Sequence, residues 1–372
     1  VLFRSVRWAG LPVPSSDPRA SASSWKGKNA ELRCFRLRND PFPAVHRPLF
    51  VYAMTAVSLP LVGHHLLAGL GFRRYLSGST KYWVRPPNPS EAWLRNTNLD
   101  AGRPRIFPRD RPPLVFCHGV GVGPTMCLTF LQLLAKGVGK EHPIFLIDTA
   151  AVSMRFSDDV PSAREITANI VNMLEVWGCS GAHFVGHSFG TFLLAWMLRY
   201  QKSYVDRISF VDPVCFLLLK VLVDGHELQQ VRSDAVMDAT EMGLKYFVLT
   251  ELFVCNFVCR CFFWEESQLD MEDLRGTEAM LILESDDAIV PTHSVQQLAR
   301  AEQQLRARGT GAAKDAANLE VLWIEGQPHA GFLLDAVSNL AVAKRLAEFH
   351  VSPAARDAQT DAQVSFRMEG NK

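Results

Sequence analysis

The stretch AHFVGHSFG, residues 182–190, decides the fold. Its first six residues form a short, largely apolar run that is typical of a buried strand, and residues 191–200 have the composition of a helix. The pentapeptide GHSFG, residues 186–190, stands between them. Small residues on both sides of Ser188 let a strand and a helix approach closely around a sharp turn, which leaves the serine hydroxyl alone at its tip. The pattern therefore predicts a nucleophilic Ser188.

Apolar runs and helical patterns alternate on both sides of this turn. The predicted strands are LVFC after residue 113, then 143–148, 182–187, 207–213, 278–285 and 319–326, and the predicted helices are 162–177, 191–200, 294–308 and 331–349. Strands that are apolar nearly throughout and alternate with helices indicate a parallel sheet covered by helices on both faces. We therefore expect an α/β fold. One long apolar interval, residues 214–276, interrupts the alternation and predicts a helical cap over the sheet edge.

A serine hydroxyl is a weak nucleophile at neutral pH and needs a base. His329, in GQPHAGF, lies between the last predicted strand and the last helix, which makes it the candidate base. The imidazole in turn needs a carboxylate that fixes its tautomer. The run ESDDAIVP, residues 284–291, follows the fifth strand and offers Asp287 as the first choice and Asp286 as the second.

Acyl transfer also needs amide donors that face the developing oxyanion. We expect one from Phe189, directly after the serine, and one from the loop HGVGVG, residues 118–123, where Val120 is the first choice and Gly121 the alternative. The same glycines match neither phosphate-binding pattern, because the lysine of one and the third glycine of the other are missing. No nucleotide, metal or other cofactor is predicted.

The net charge of +1 hides a division of the chain. Residues 1–111 contain 18 Lys+Arg and 6 Asp+Glu, net +12, and the remainder contains 21 and 32, net −11. Because the basic excess lies in one arm, a nucleic-acid binder is not indicated. The eight cysteines have no disulfide-framework spacing, which predicts reduced thiols and an intracellular location, and CNFVCRC lacks the histidine or second pair that a zinc site needs.

Residues 1–48 are expected to be a basic, disordered tail, with an organellar transit segment as the alternative for residues 6–48. The first five residues, VLFRS, resemble a translated sequencing adapter. Residues 49–72 contain no charged side chain, so 49–75 is a candidate membrane anchor. Three alternatives stay open: the segment spans a membrane, lies on it, or packs on the domain. Residues 83–113 are interpreted as a Pro- and Arg-rich extended connection, 76–350 as the main domain, and 351–372 as a polar tail.

Together these motifs resemble the α/β-hydrolase superfamily over about residues 80–350. The resemblance is carried by His118-Gly119, by GHSFG, by DAIVP at 287–291 and by PHAGF at 328–332. It implies an eight-stranded type of sheet, a variable cap and a Ser188, Asp287, His329 triad in the chain order of that fold. A serine at this turn argues against the related epoxide hydrolases and haloalkane dehalogenases, which carry aspartate there. The hydrophobic N-terminal segment is similar to that of membrane-associated lipid-handling members.

We expect a serine hydrolase that cleaves a carboxylic ester, with an apolar or lipid substrate and contact with a membrane surface. Two alternatives remain at this stage: a lipid acyltransferase that uses the same acyl-enzyme, and a non-catalytic binding protein tethered to a membrane. The acyl chain, the head group, the organelle and the oligomeric state stay open, because the fold hosts many chemistries.

Overall fold

A computed structural model of the chain describes residues 44–88, 107, 112–157, 160–221, 246, 250–308 and 318–351. Within them, eight strands form one sheet in the order β1-β2-β4-β3-β5-β6-β7-β8. The predicted polar tail after residue 351, most of the basic tail, most of the Pro- and Arg-rich connection and much of the cap lie outside the described residues.

The strands from β3 to β8 are parallel to one another, whereas β2 pairs antiparallel with both β1 and β4. Their bounds are β1 Arg73–Ser77, β2 Thr80–Arg85, β3 Leu114–Cys117, β4 Ile144–Asp148, β5 Ala182–His187, β6 Val205–Val211, β7 Glu278–Glu284 and β8 Leu319–Ile324. The central strands β3, β4 and β5 are buried along their whole length. Their carboxyl ends meet at one edge of the sheet, which is where open α/β sheets bind their ligands.

The helices of the described residues differ widely in length. They are α1 Leu49–Gly69 with a π-helical turn at Met54–Ser58, α2 Leu128–Val138, α3 Ala163–Val176, α4 Gly190–Tyr200, α5 Leu252–Cys261 with a π-helical end at Phe257–Cys261, α6 Trp264–Ser267, α7 Thr292–Ala307 and α8 Ala336–Val351. The start of α3 shows why helices begin where they do, because Ser162 Oγ accepts a hydrogen bond from the Glu165 amide at 3.2 Å.

Alternate residues of the strands divide the core between the two faces of the sheet. Leu114 and Phe116 of β3 belong to a buried cluster that includes Phe130 of α2 and Leu346 of α8. On the other face, Phe145 of β4 packs against the Trp177 ring at the end of α3, with ring centroids 6.1 Å apart. The sheet is therefore covered on both faces, and the predicted α/β class is confirmed.

All six predicted strands are present, but the hairpin of β1 and β2 was not foreseen. The interpretation of residues 83–113 as an extended connection from its start was wrong, because residues 83–85 pair with β4. Arg73 and Arg74 begin β1, so the apolar helix ends at Gly69 and the predicted segment 49–75 is not one element. The hairpin escaped prediction because both of its strands carry charged residues, Arg73 and Arg74 in β1 and Lys81 and Arg85 in β2, whereas the buried parallel strands are apolar nearly throughout.

Helix α1 is long and apolar enough to cross a membrane by length and composition. One of its sides is nevertheless docked on the domain. Tyr52 and Leu67 are buried, and a Cβ on Gly63 would stand 2.2 Å from Thr125 Oγ1. The helix therefore lies along the protein, beside the turn Gly123–Cys127 that follows the predicted oxyanion loop.

Candidate active site

The turn after β5 forces Ser188 into an unusual backbone conformation. Ser188 has a backbone φ of +50°, which residues other than glycine rarely adopt. Its amide donates a hydrogen bond to Val211 O at 2.9 Å. The two glycines of the motif are sterically required. A Cβ on Gly190 would lie 2.1 Å from Cys117 O, and one on Gly186 would lie 2.7 Å from Gly190 O. Close packing of strand, turn and helix therefore presents Ser188 at the carboxyl edge of the sheet.

Three of the residues singled out from the sequence form one hydrogen-bonded chain. Ser188 Oγ lies 2.8 Å from His329 Nε2, and His329 Nδ1 lies 2.7 Å from Asp287 Oδ2. The other carboxylate oxygen, Asp287 Oδ1, accepts the amides of Ile289 and Val290 at 2.7 and 2.8 Å. With both oxygens occupied, the carboxylate is fixed in place, so His329 is held in the tautomer whose Nε2 can accept a proton.

Asp286, the alternative acid in the sequence, lies outside this chain. Its side chain is exposed, and Oδ1 accepts a hydrogen bond from Ser285 Oγ at 2.7 Å. Neighbouring residues of the loop point in different directions, so only one of the two aspartates reaches the imidazole.

His329 carries a strong electrostatic bias. Burial alone lowers the pKa of this imidazole, but the carboxylates of Asp287, Asp212 and Glu284 outweigh burial and raise the pKa to about 9. Asp287 acts most directly, since it is hydrogen-bonded to the ring. The imidazolium that forms when serine gives up its proton is therefore stabilised by its surroundings.

Two residues of this environment, Asp212 and Glu284, were missed as site residues. Asp212 directly follows β6 and Glu284 is the last residue of β7, and both are 0% exposed. His187, beside the nucleophile, is also buried, and its Nε2 lies 3.6 Å from Asp212 Oδ2. Burial, and then the nearby charge of His329, lowers the pKa of His187 to about 3, so it stays neutral. The sequence contained one sign of these two residues: an acid stands at the end of each of two consecutive predicted strands.

The predicted oxyanion loop lies against the nucleophile. A Cβ on Gly119 would stand 3.1 Å from Ser188 Cβ, so the loop backbone borders the serine directly. The amide of Gly121, the alternative oxyanion donor, already donates a hydrogen bond to Val152 O at 3.0 Å. Phe189 is the N-cap residue of α4, so its amide lies before the first turn of that helix.

Aromatic side chains cover the turn from the side of helix α5. The Phe189 ring packs edge-on against Phe257, with centroids 5.2 Å apart, and Phe192 lies 4.7 Å from Phe262. Phe257 and Phe262 both lie in the interval 214–276 that was interpreted as a cap. The described part of that interval therefore packs on the turn that carries Ser188. The immediate surroundings of Ser188 are therefore strongly apolar on this side.

Among the described residues, Asp212, Asp287 and His329 place one potential metal ligand each within 4.8 Å of one another. Both ring nitrogens of His329 are already hydrogen-bonded, to Ser188 and Asp287. We therefore interpret the group as acids around a base. In the described part of the chain, Cys255 and Cys259 are buried and Cys261 is half-buried, and no disulfide joins the seven described cysteines.

The strand order, the antiparallel β2 and the serine turn after β5 define this chain as having the α/β-hydrolase fold. No protein-family model and no curated protein matches the sequence. Among solved structures, naproxen esterase from Bacillus subtilis is similar at 15% identity and a TM-score of 0.49, covering 82% of this chain and 99% of its own.

Two further solved structures are similar to this chain. A putative lipase from Acinetobacter baumannii has 12% identity and a TM-score of 0.48 and covers 79% of this chain and 95% of its own. A bacterial membrane phospholipase A has 14% identity and a TM-score of 0.46 and covers 80% and 92%. At such identities the likeness concerns the fold and does not indicate a substrate.

Proposed function

We propose that this protein is a serine hydrolase that cleaves a carboxylic ester through an acyl-enzyme on Ser188. The proposal rests on one observation: the hydrogen-bonded chain from Ser188 Oγ through His329 to Asp287, with distances of 2.8 and 2.7 Å. A serine held at positive φ has no other evident reason to face a histidine that is itself fixed by a buried carboxylate.

In the proposed reaction, His329 Nε2 accepts the Ser188 proton as Oγ attacks the ester carbonyl. The Asp287 carboxylate stabilises the imidazolium that results. His329 then gives the proton to the leaving alcohol oxygen, and the carbonyl re-forms as the acyl-enzyme. A water molecule, deprotonated by the same nitrogen, attacks the acyl group, and the carboxylic acid leaves while Ser188 regains its proton.

The amides of Phe189 and Val120 are the proposed donors to the oxyanion of both tetrahedral intermediates. The engagement of the Gly121 amide with Val152 O supports Val120 over its neighbour. The approach of Gly119 to the Ser188 side chain keeps this loop within reach of a carbonyl bound at Oγ.

We propose that the acyl part of the substrate is apolar. The aromatic contacts of Phe189 with Phe257 of helix α5, and of Phe192 with Phe262 directly after that helix, support this, because they place apolar surface beside the turn that carries the nucleophile. An apolar acyl chain gains about 25 cal/mol for each Å² of surface it removes from water, so such a wall favours long acyl chains over acetate.

We further propose that α1 lies in the plane of a membrane surface. Its docked side spans Tyr52 to Leu67, whereas the opposite side exposes large apolar residues to between 41% and 80%: Leu49, Phe50, Met54, Val57, Leu61, Val62 and Leu66. A helix docked over several turns on a domain cannot be surrounded by lipid. An outward apolar side suits the boundary between head groups and acyl chains, and Arg74 beyond its end would meet anionic head groups.

The test of the central proposal is hydrolysis of p-nitrophenyl esters by the full chain. We expect Ser188→Ala to lower kcat at least about 1,000-fold, as expected when a nucleophile is removed. Ser180→Ala is the matched control, because Ser180 is an exposed serine in the turn before β5. Wild-type activity that survives Ser188→Ala would contradict the acyl-enzyme. Adding an alcohol acceptor and measuring new ester against free acid separates hydrolysis from acyl transfer.

A further inference from the structure

Two buried carboxyl groups lie behind the loop that carries His329. Asp212 and Glu284 stand at the carboxyl ends of the adjacent strands β6 and β7, and their side chains are in hydrogen-bonding contact with each other. Both are completely buried. The mechanism proposed above assigns neither of them a step.

These two groups fasten the base loop by its backbone. Asp212 Oδ2 accepts the Ala330 amide at 2.9 Å, and the Glu284 oxygens accept the amides of Gly331 and Phe332 at 3.0 and 2.6 Å. Ala330 has φ +61°, a strained conformation for a residue with a side chain. Three hydrogen bonds directly after His329 hold the loop in that conformation.

The surroundings of Asp212 and Glu284 favour one proton shared between the two carboxyl groups. Among the described residues, no lysine or arginine pairs with Asp212 or Glu284, and Asp212 Oδ1 is buried without a donor. The other titratable groups that face Asp212 are His187, His329 and Asp287. Two ionised carboxylates that interact inside a protein repel each other strongly, whereas one proton on the pair turns that repulsion into a hydrogen bond.

We propose that Asp212 and Glu284 share one proton, and that their single negative charge tunes His329 to accept the Ser188 proton. If both were ionised, the imidazole would face three carboxylates, the charges that together raise its pKa to about 9, and it would stay protonated at neutral pH, unable to act as a base. With Glu284 neutral, it faces only Asp287 and Asp212. In accord with this, burial and then the charge of Asp212 raise the pKa of Glu284 well above its usual range.

This inference rests on the proposed function, and its first test uses ester hydrolysis. The acidic limb of kcat/KM against pH reports protonation of the base in the free enzyme. Asp212→Asn removes a charge within 4.8 Å of the imidazole, so we expect the limb to move to lower pH by about one unit or more. Glu284→Gln replaces a neutral group by a neutral group, so we expect the limb to stay in place.

Asp286→Asn is the matched control, because it removes an exposed carboxylate from the same loop, and the limb should not move. A purely structural role for Asp212 would lower the rate without shifting the limb. The proposal is overturned if Glu284→Gln shifts the limb as far as Asp212→Asn does, since Glu284 would then be ionised. It is also overturned if Asp212→Asn leaves the limb unmoved.

A second measurement does not depend on activity. Infrared difference spectra at neutral pH should contain the carbonyl stretch of one protonated carboxylic acid, present in the wild type and in Asp286→Asn and lost in Glu284→Gln. Absence of that band from the wild type overturns the shared proton whether or not the protein hydrolyses esters. Presence of the band without hydrolysis would contradict the proposed function alone.

Discussion

At the scale of single residues, the sequence was most informative where sterics leave no choice. Gly186 and Gly190 are needed because backbone atoms occupy the space of a Cβ, so the spacing around Ser188 could be recognised without any structure. The choice of Asp287 over Asp286 could not be settled in the same way. It depends on which side chain the loop turns inward, and the adjacent residues are chemically identical.

Gly190 gives a direct steric prediction. We expect Gly190→Ala to destabilise the fold by about 1–3 kcal/mol or more, because its Cβ would stand 2.1 Å from Cys117 O and the backbone would have to shift. Thermal unfolding of the purified protein measures the loss. Gly69→Ala is the control, since no atom lies within 4 Å of the added Cβ. Equal melting temperatures for the two variants would refute the close packing at the turn.

At the scale of elements, buried parallel strands were predictable because both of their faces are apolar. The β1–β2 hairpin was not, since Arg73 and Arg74 fall within the candidate anchor 49–75 and Arg85 within the supposed connection 83–113. Helix α1 was recognised as apolar, but no pattern along it distinguishes a docked side from an exposed side. The helix carries apolar residues on all of its sides, so only the contacts at Gly63 and Leu67 show which side packs on the domain.

The exposed side of α1 makes a testable contribution to membrane binding. We expect Leu61→Asp to reduce binding of the full chain to anionic phospholipid vesicles by about tenfold or more, because a leucine leaves the interface and a charge enters it. Leu340→Asp on α8 is a close control, since the two leucines are 57% and 54% exposed. Co-sedimentation measures both. Equal losses for the two variants would show that α1 has no special part in binding.

At the scale of the whole molecule, the site joins distant segments that only the complete sheet brings together. The chain order of Ser188, Asp287 and His329 was predictable, because each follows a strand that ends at the same edge. The Asp212–Glu284 pair was not, because nothing local marks a carboxyl group that will be buried beside another one. Its detection required knowing that β6 and β7 are neighbours.

A chain of buried histidines ties the last helix to the sheet. His350 of α8 contacts His183 of β5 and His142, at 3.1 and 3.2 Å between ring nitrogens, and His183 Nε2 lies 2.8 Å from Ser209 Oγ. Burial, and then the charge of Arg207, lowers the pKa of His183 to about 3. This histidine is therefore neutral in the folded protein.

This burial predicts a loss of stability in acid. His183 titrates near 6.5 when unfolded and near 3 when folded, so between these values the unfolded state binds more protons. Its contribution to the free energy of unfolding is complete above pH 6.5 and falls as the pH drops towards 3. We expect His183→Gln to flatten the dependence of chemical-denaturation midpoints on pH in that window. The exposed His65→Gln should keep the wild-type slope, and an unchanged slope in both would contradict a buried neutral His183.

The most direct test of the account is to find which residue a fluorophosphonate labels. The hydroxyl oxygen that attacks an ester also displaces fluoride from such a probe, forming a stable phosphonate ester. We predict one adduct per wild-type chain, mapped by peptide mass spectrometry to Ser188, with no adduct on Ser188→Ala and normal labelling of Ser180→Ala. A folded wild-type protein that acquires no label, or a label that persists in Ser188→Ala, would contradict the account.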